Sequence, residues 1–239
     1  GGFKNITVAN CALKKCSASK LRNWHKHLNK FGVTDLATGI GGISLEAVDG
    51  GFADQITISN LVMTDVQTPI FIRVGHRNKD EQKSYIKNVI ISNITATSAS
   101  WITNSITCVD GHTLKNITLR DCYFNLKACT DDKSALNSLK VEVPEKVATY
   151  PENRMFGTLL PSYGFFLRRV CNLTLDNVQM SYFGGNELRP VIYGEKVSGL
   201  RVMNCIWQKP FGSAESVILK DSEAPYIFNF KDVKDSFLQ

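Results

Sequence analysis

Residues 56–61, Ile56-Thr57-Ile58-Ser59-Asn60-Leu61, decide the fold because the chain writes this phrase six times. An apolar residue, a Thr or similar, a second apolar residue and one variable position lead to Asn or Asp and then to a small apolar residue. The other copies are Ile6–Cys11, Val89–Ile94, Ile117–Cys122, Leu173–Val178 and Leu200–Cys205. Where the spacing is tightest, successive copies start about 27 to 33 residues apart, the range of stacked repeats. Within each copy the alternation has the period of a strand. A second phrase answers the first, in Gly42–Glu46, Pro69–Arg73, Ser105–Val109, Gly164–Arg168 and Pro190–Gly194, so each repeat holds at least two strands.

A Leu-rich horseshoe would alternate strand with helix and keep Leu at fixed offsets. Here the apolar positions mix Ile, Val, Leu and Cys beside Asn. The pattern predicts an all-β chain, a right-handed parallel β-helix in a single domain spanning 1–239, with insertions at about 14–39 and 126–161. Strands of successive turns would lie about 4.8 Å apart, so equivalent residues form columns. Asn10, Asn60, Asn93, Asp121, Asn177 and Asn204 form one such column at a corner, because Asn tolerates the left-handed conformation a tight bend requires.

The chain is 43% hydrophobic, enough for a sizeable core, and no apolar run approaches a membrane span. Of seven cysteines, Cys11, Cys122 and Cys205 share the slot where other repeats place Leu61, Ile94 and Val178, which reads as interior packing. Cys16, Cys108, Cys129 and Cys171 lack ligand spacing, so neither a metal nor a cofactor is expected. The formal charge of +6 suits an anionic partner. No finger, basic helix or aromatic-basic sheet accompanies it, so nucleic acid is not expected. Much of the basic excess lies in Lys14–Lys30, which reads as a solvated loop. The Asn-x-Thr triplets at Asn5, Asn93, Asn116 and Asn172 follow from the repeat and read as strand residues without sugar.

Three blocks carry a resemblance. Gly42–Arg77 (GISLEAVDGGFADQITISNLVMTDVQTPIFIRVGHR) and Asn104–Cys122 (NSITCVDGHTLKNITLRDC) look like the later turns of the polygalacturonase family, glycoside hydrolase family 28. Tyr150–Val170, followed by Arg189-Pro190, resembles the C-terminal part of related pectin-degrading enzymes. The likeness covers nearly all of the chain outside Lys14–Gly39. It implies a parallel β-helix that hydrolyses pectic polysaccharide with inversion, one Asp acting as general acid and others activating water. The family sets its catalytic residues in Asn-x-Asp, Asp-Asp and Gly-His-Gly motifs on consecutive turns, with Arg-x-Lys on the next.

This chain departs from that set. Its one Asp-Asp, Asp131-Asp132, lies in a polar stretch between strands, and Gly111-His112 comes two turns too late and is followed by Thr113. Ser44 and Glu46 stand where the Arg-x-Lys pair would fall. No catalytic residue is assigned, and the chain alone is expected to be inactive. The phrase Gly1–Val8 resembles the segment just after the Gly-His-Gly turn in the family. The expectation is therefore a C-terminal portion of a pectin-active glycoside hydrolase, secreted or periplasmic with its leader elsewhere, whose missing N-terminal turns come from the same parent or another chain. The alternative is a non-catalytic carbohydrate-binding or adhesin-like β-helix.

In the family the second strand of each pair carries the cleft. Alternation then places Ile43, Leu45, Ile70, Ile72, Ile106, Cys108, Phe165 and Leu167 inward. Two outward columns are expected: Ser44, Phe71, Thr107, Phe166 and Ile192, and Glu46, Arg73, Val109, Arg168 and Gly194. The candidate contacts to an acidic plant polysaccharide, pectin, are Glu46, Arg73, Arg168 and Phe71, with His76 and Arg77 in the loop beyond. Arg73 would pair a uronate carboxylate and Phe71 would face a sugar ring. The plainer reading pairs Arg73 with Glu46 across neighbouring strands. Residues 126–161 would fold over one side and wall the cleft.

Overall fold

The computed structural model describes residues 1–15, 28–34, 38–78, 82–212 and 215–234. The chain alternates between two parallel sheets. The first contains β1 (Gly2–Leu13), β3 (Phe52–Val66), β5 (Tyr85–Ser98), β7 (Thr113–Lys127), β9 (Cys171–Phe183), β11 (Arg201–Gln208) and β13 (Ile227–Val233), in that spatial order. The second contains β2 (Gly41–Ala47), β4 (Thr68–Val74), β6 (Asn104–Cys108), β8 (Phe165–Arg168), β10 (Ile192–Glu195) and β12 (Val217–Lys220), again in chain order. Each strand of one sheet with the next strand of the other makes one layer.

The long strands of the first sheet bend because single residues within them are left-handed. Asn60, Asn93, Asp121, Asn177 and Asn204 have φ between 51° and 57°, and Asn10 has φ 59°. One left-handed residue breaks the two-residue alternation, so Ile58 and Leu61, three apart, both face the core. The sequence names this corner column. A second one, Asn5, Gln55, Asn88, Asn116 and Asn172, is also left-handed and hides behind the Asn-x-Thr triplets. Part of the column is linked by its amides: Asn116 Nδ2 donates to Asn88 Oδ1 at 2.9 Å and Asn172 Nδ2 to Asn116 Oδ1 at 3.2 Å.

Between the sheets lies one continuous core in which columns such as Ile56, Val89, Ile117 and Leu173 stack in register. Cys122 and Cys205 are buried in it with Val178, as expected, and all described cysteines are free. Burial pushes the Cys122 thiol up to about 12 and that of Cys205 to about 11, so both behave as small hydrophobes. Cys11 has the same slot in β1 but is exposed.

The larger insertion runs from the end of β7 to the start of β8, residues 128–164. It opens with the helix α1 (Asp132–Ser138), which explains Asp131-Asp132 structurally. Asp131 is the N-cap: its carboxylate accepts from Ser134 N at 3.1 Å and from Ser134 Oγ at 2.7 Å, and these bonds hold its pKa below the usual carboxylate value. In the smaller insertion a 3-10 helix (Leu28–Phe31) is followed by Val33, and Phe31 and Val33 pack on Ile102. Arg22, His25, Lys26 and His27 lie outside the described residues.

Candidate functional site

The register of the second sheet corrects both expected outward columns. One column is Ser44, Phe71, Ser105, Phe166, Tyr193 and Ile218; the other is Glu46, Arg73, Thr107, Arg168, Glu195 and Lys220. Thr107 therefore moves to the second column and Val109 to neither, a slip of two residues that keeps the facing. In β10 the slip is one residue, so Ile192 and Gly194 face the core while Tyr193 and Glu195 face out. Gly194 fits the interior because Leu219 approaches closely: a Cβ there would lie 2.6 Å from Leu219 Cδ2.

Most of this outward face is covered. Residues 139–164, the strap, cross it, and Val143, Met155, Phe156 and Leu160 bury Phe71, Phe166 and Tyr193. Phe71 thus packs under the strap instead of facing outward, because burying three aromatic rings outweighs leaving them wet. Arg73 is 1% exposed. Its Nη2 donates to the carbonyls of Glu145 at 2.7 Å and Lys146 at 3.3 Å, and its Nη1 to Thr107 Oγ1 at 3.3 Å. Burial lowers its pKa to about 10. Arg168 donates to Glu195 Oε2 at 2.7 Å and, through Nη2, to the Val143 carbonyl at 2.7 Å. Both arginines serve as anchors for the strap, so the structure does not place Arg73 with Glu46 as an ion pair, although the two are register neighbours. Glu46 remains open to solvent, but the protein atoms crowded around its carboxyl desolvate it and, with the nearby Glu152, push its pKa above the usual carboxylate value.

The root of the strap is a fully buried ion pair that the sequence does not announce. Arg189 Nη2 meets Glu187 Oε2 at 2.8 Å. The remaining capacity is filled by Cys129 N donating to Glu187 Oε2 at 3.0 Å and by Arg189 Nη1 donating to the carbonyls of Trp101 at 3.1 Å and Leu160 at 3.3 Å. A charge pair so deep is tolerated because nearly every donor and acceptor is engaged.

Of the loop residues at the strand ends, Arg77 and His112 have hydrogen-bond partners, whereas the buried His76 Nδ1 has none among the described residues. Arg77 grips Asp49 with Nε at 3.0 Å from Oδ1 and Nη2 on Oδ2, and lies 5.3 Å from the Tyr150 ring centroid. His76 faces His112 with ring centroids 5.0 Å apart. His112 Nδ1 accepts from Ser84 N at 3.0 Å, and burial, then His76 and Lys83, lower its pKa. Arg169 bonds Glu145 and stands 3.6 Å from Asp110. Directly after β4 the sequence Arg77-Asn78-Lys79 spells Arg-x-Lys and Asn78-Lys79-Asp80 spells Asn-x-Asp. They follow β4 instead of standing on it, and Lys79 and Asp80 lie outside the described residues.

What remains open is a groove of about 350 Å³ beyond the strap, over β8, β10 and β12. The strap supplies Lys140 and Glu142 to one wall, the floor is Arg168, Glu195 and Lys220, and the other wall is the corner run Arg169, Lys196 and Asp221. Those three corner residues are left-handed, with φ 49°, 55° and 47°, a state Asp adopts readily but Arg and Lys uncommonly. The backbone holds them there: Arg169 N donates to Glu195 O and Lys196 N to Lys220 O, each at 3.0 Å. Lys220 lies 5.1 Å from the Tyr193 ring centroid, and Tyr193 is the main cause raising its pKa. With Arg168 and Arg169 neutralised by Glu195 and Glu145, the groove keeps Lys140, Lys196 and Lys220 against Glu142 and Asp221.

No protein-family model, curated protein or solved structure matches the chain.

Proposed function

We propose that the chain is a right-handed parallel β-helix that contributes substrate-binding surface to a pectin-active glycoside hydrolase acting outside the cell membrane, with the catalytic carboxylates outside these 239 residues. The observation that carries the reading is the groove over β8, β10 and β12. It is polar, open at the surface, and keeps one more cation than anion after its internal pairs are counted. A uronate unit needs a cation for its carboxylate and mixed donors and acceptors for its hydroxyls. Lys196 and Lys220 would meet the carboxylate, while Glu142 and Asp221 accept from hydroxyls. The resemblance of Gly42–Arg77 and Asn104–Cys122 to polygalacturonases supports the same substrate class.

Titration calorimetry with oligogalacturonate against a neutral oligosaccharide of equal length tests it. Binding of the acidic ligand alone, weakened about fivefold to tenfold by Lys196→Ala with Lys220→Ala and weakened further by salt, is expected. Equal binding of the neutral sugar would overturn the acidic assignment. The second reading, a non-catalytic carbohydrate-binding β-helix, is favoured by the covering of Phe71 and Arg73. A reducing-sugar assay on the full parent polypeptide separates the two, since only the first releases new chain ends.

A further inference from the structure

Among the described residues, every left-handed non-glycine residue is Asn, Asp or Gln apart from three: Lys146, Arg169 and Lys196. Asn and Asp tolerate that conformation because a short polar side chain bonds locally, whereas a long side chain has no such return. Arg169 and Lys196 are corner neighbours in successive layers, about one strand spacing (~4.8 Å) apart, and both line the groove. Lys146 is next in sequence to Glu145, which lines it as well. Cations kept where Asn would be less strained point to a site held for its charge.

The two arginines beside the groove are bound differently. Arg168, with a side chain 4% exposed, uses its guanidinium on Glu195 and on the Val143 carbonyl. The Arg169 side chain is 19% exposed and that of its partner Glu145 35%. Its guanidinium gives one hydrogen bond, from Nη1 to Glu145 Oε1, and stands 3.6 Å from the exposed Asp110. The other N–H groups of that guanidinium have no hydrogen-bond acceptor among the described residues. A guanidinium meets a freely placed carboxylate through two parallel bonds, and Glu145 supplies one. Glu145 does not depend on Arg169 for its place, because its backbone carbonyl accepts from the buried Arg73 at 2.7 Å. Its side chain can therefore leave Arg169 while the strap stays anchored.

We infer that Arg169 is an anion subsite of the groove and that Glu145 is its resident competitor, a built-in carboxylate that an incoming uronate displaces. The inference rests on the uronate reading of the groove and adds its control. Lys196 and Lys220 receive one carboxylate, and Arg169 receives a second only when Glu145 swings away. Occupancy by Glu145 lowers the apparent affinity by the fraction of molecules in which Arg169 is free.

Titration calorimetry with oligogalacturonate on Glu145→Gln, Arg169→Gln and the double variant tests the competition. Glu145→Gln is expected to bind about tenfold more tightly than the original chain. Arg169→Gln should change affinity by less than about twofold in the original background and should abolish the gain in the Glu145→Gln background. No gain from Glu145→Gln, or a gain that persists without Arg169, overturns the inference and leaves the pair as a brace for the strap. A second arm is free of sugar. Inorganic phosphate, followed by nitrogen–proton NMR of the Arg169 Nε–H group assigned through its loss in Arg169→Gln, should shift that signal at about tenfold lower concentration in Glu145→Gln than in the original chain. A signal that phosphate leaves unmoved in Glu145→Gln overturns the inference whatever the sugar does. Phosphate acting as expected, with no oligogalacturonate bound by any of these proteins, supports the anion subsite and overturns the uronate reading of the groove.

Discussion

The two sheets solve the same problem differently. On the first, the corners repeat layer after layer, and most corner Asn amides donate to a carboxylate or amide oxygen of the layer before, as Asn60, Asn93, Asn116 and Asn177 do. On the second, the outward face between β4 and β10 is closed by a strap that occurs once, is anchored by Arg73 and Arg168, and is rooted in Glu187 and Arg189. A repeated solution distributes its stabilisation over many equal bonds. A unique one concentrates it in a few buried charges, so single substitutions should act very unequally on the two sides.

Glu187→Ala should have the largest effect, since it leaves the Arg189 cation buried and unpaired, at a cost of about 3–5 kcal/mol. Urea denaturation measures the loss, and limited proteolysis should cut first within residues 139–164. If Glu187→Ala costs no more than a ladder substitution, the contrast between the sheets collapses. Arg168→Ala should come next at about 2–3 kcal/mol, because it frees the Val143 carbonyl and leaves Glu195 without its cation.

On the ladder side, Asn93→Ala should cost about 1–2 kcal/mol, from the left-handed backbone and the lost bond together. Asn93→Gly keeps the conformation and should recover roughly 1 kcal/mol of that. A glycine variant no better than alanine would show that the amide bond, not the bend, holds the corner.

The smallest effect is one of pH. His112 has its pKa lowered from the ordinary 6.5, so the folded state prefers the neutral ring that accepts from Ser84 N. The unfolded chain then takes up the proton first. The stability from His112 is complete above pH 6.5 and is lost as pH falls through the lower folded value. His112→Gln should flatten the dependence of melting temperature between pH 7 and pH 5; an unchanged slope would remove His112 from the account.

The contrast also governs what could be read in advance. Strand alternation and the corner Asn column repeat, so the parallel all-β architecture and the inward residues of β2, β4 and β8 were visible in the sequence. In β10 the interior Gly194 carries no apolar signal, which is why the frame slipped by one and reversed the facing. In β6, Asn104 takes an interior slot that apolar residues fill elsewhere. It survives there by accepting from Ile70 N at 2.9 Å and donating to Gly164 O at 3.0 Å. Nothing local to Arg73, Phe71 or Arg168 tells that a segment more than 70 residues beyond Arg73 covers them; Glu145 accepts across a separation of 72 positions. The groove has no signature in the sequence for the same reason, being defined by the edge of the strap.

The Glu187–Arg189 pair also sets an order in time. During synthesis, strands β1 to β7 can add to one another as they emerge, each finding the preceding strand already present. The strap is made before its root, because Cys129 and Leu160 are held by residues that come later in the chain. Until Glu187 and Arg189 have been added, the Cys129 amide and the Leu160 carbonyl lack the partners that root the two ends of the insertion. A ribosome pausing between Phe166 and Arg189 would therefore hold a nascent chain with β1, β3, β5 and β7 complete and the strap not yet rooted.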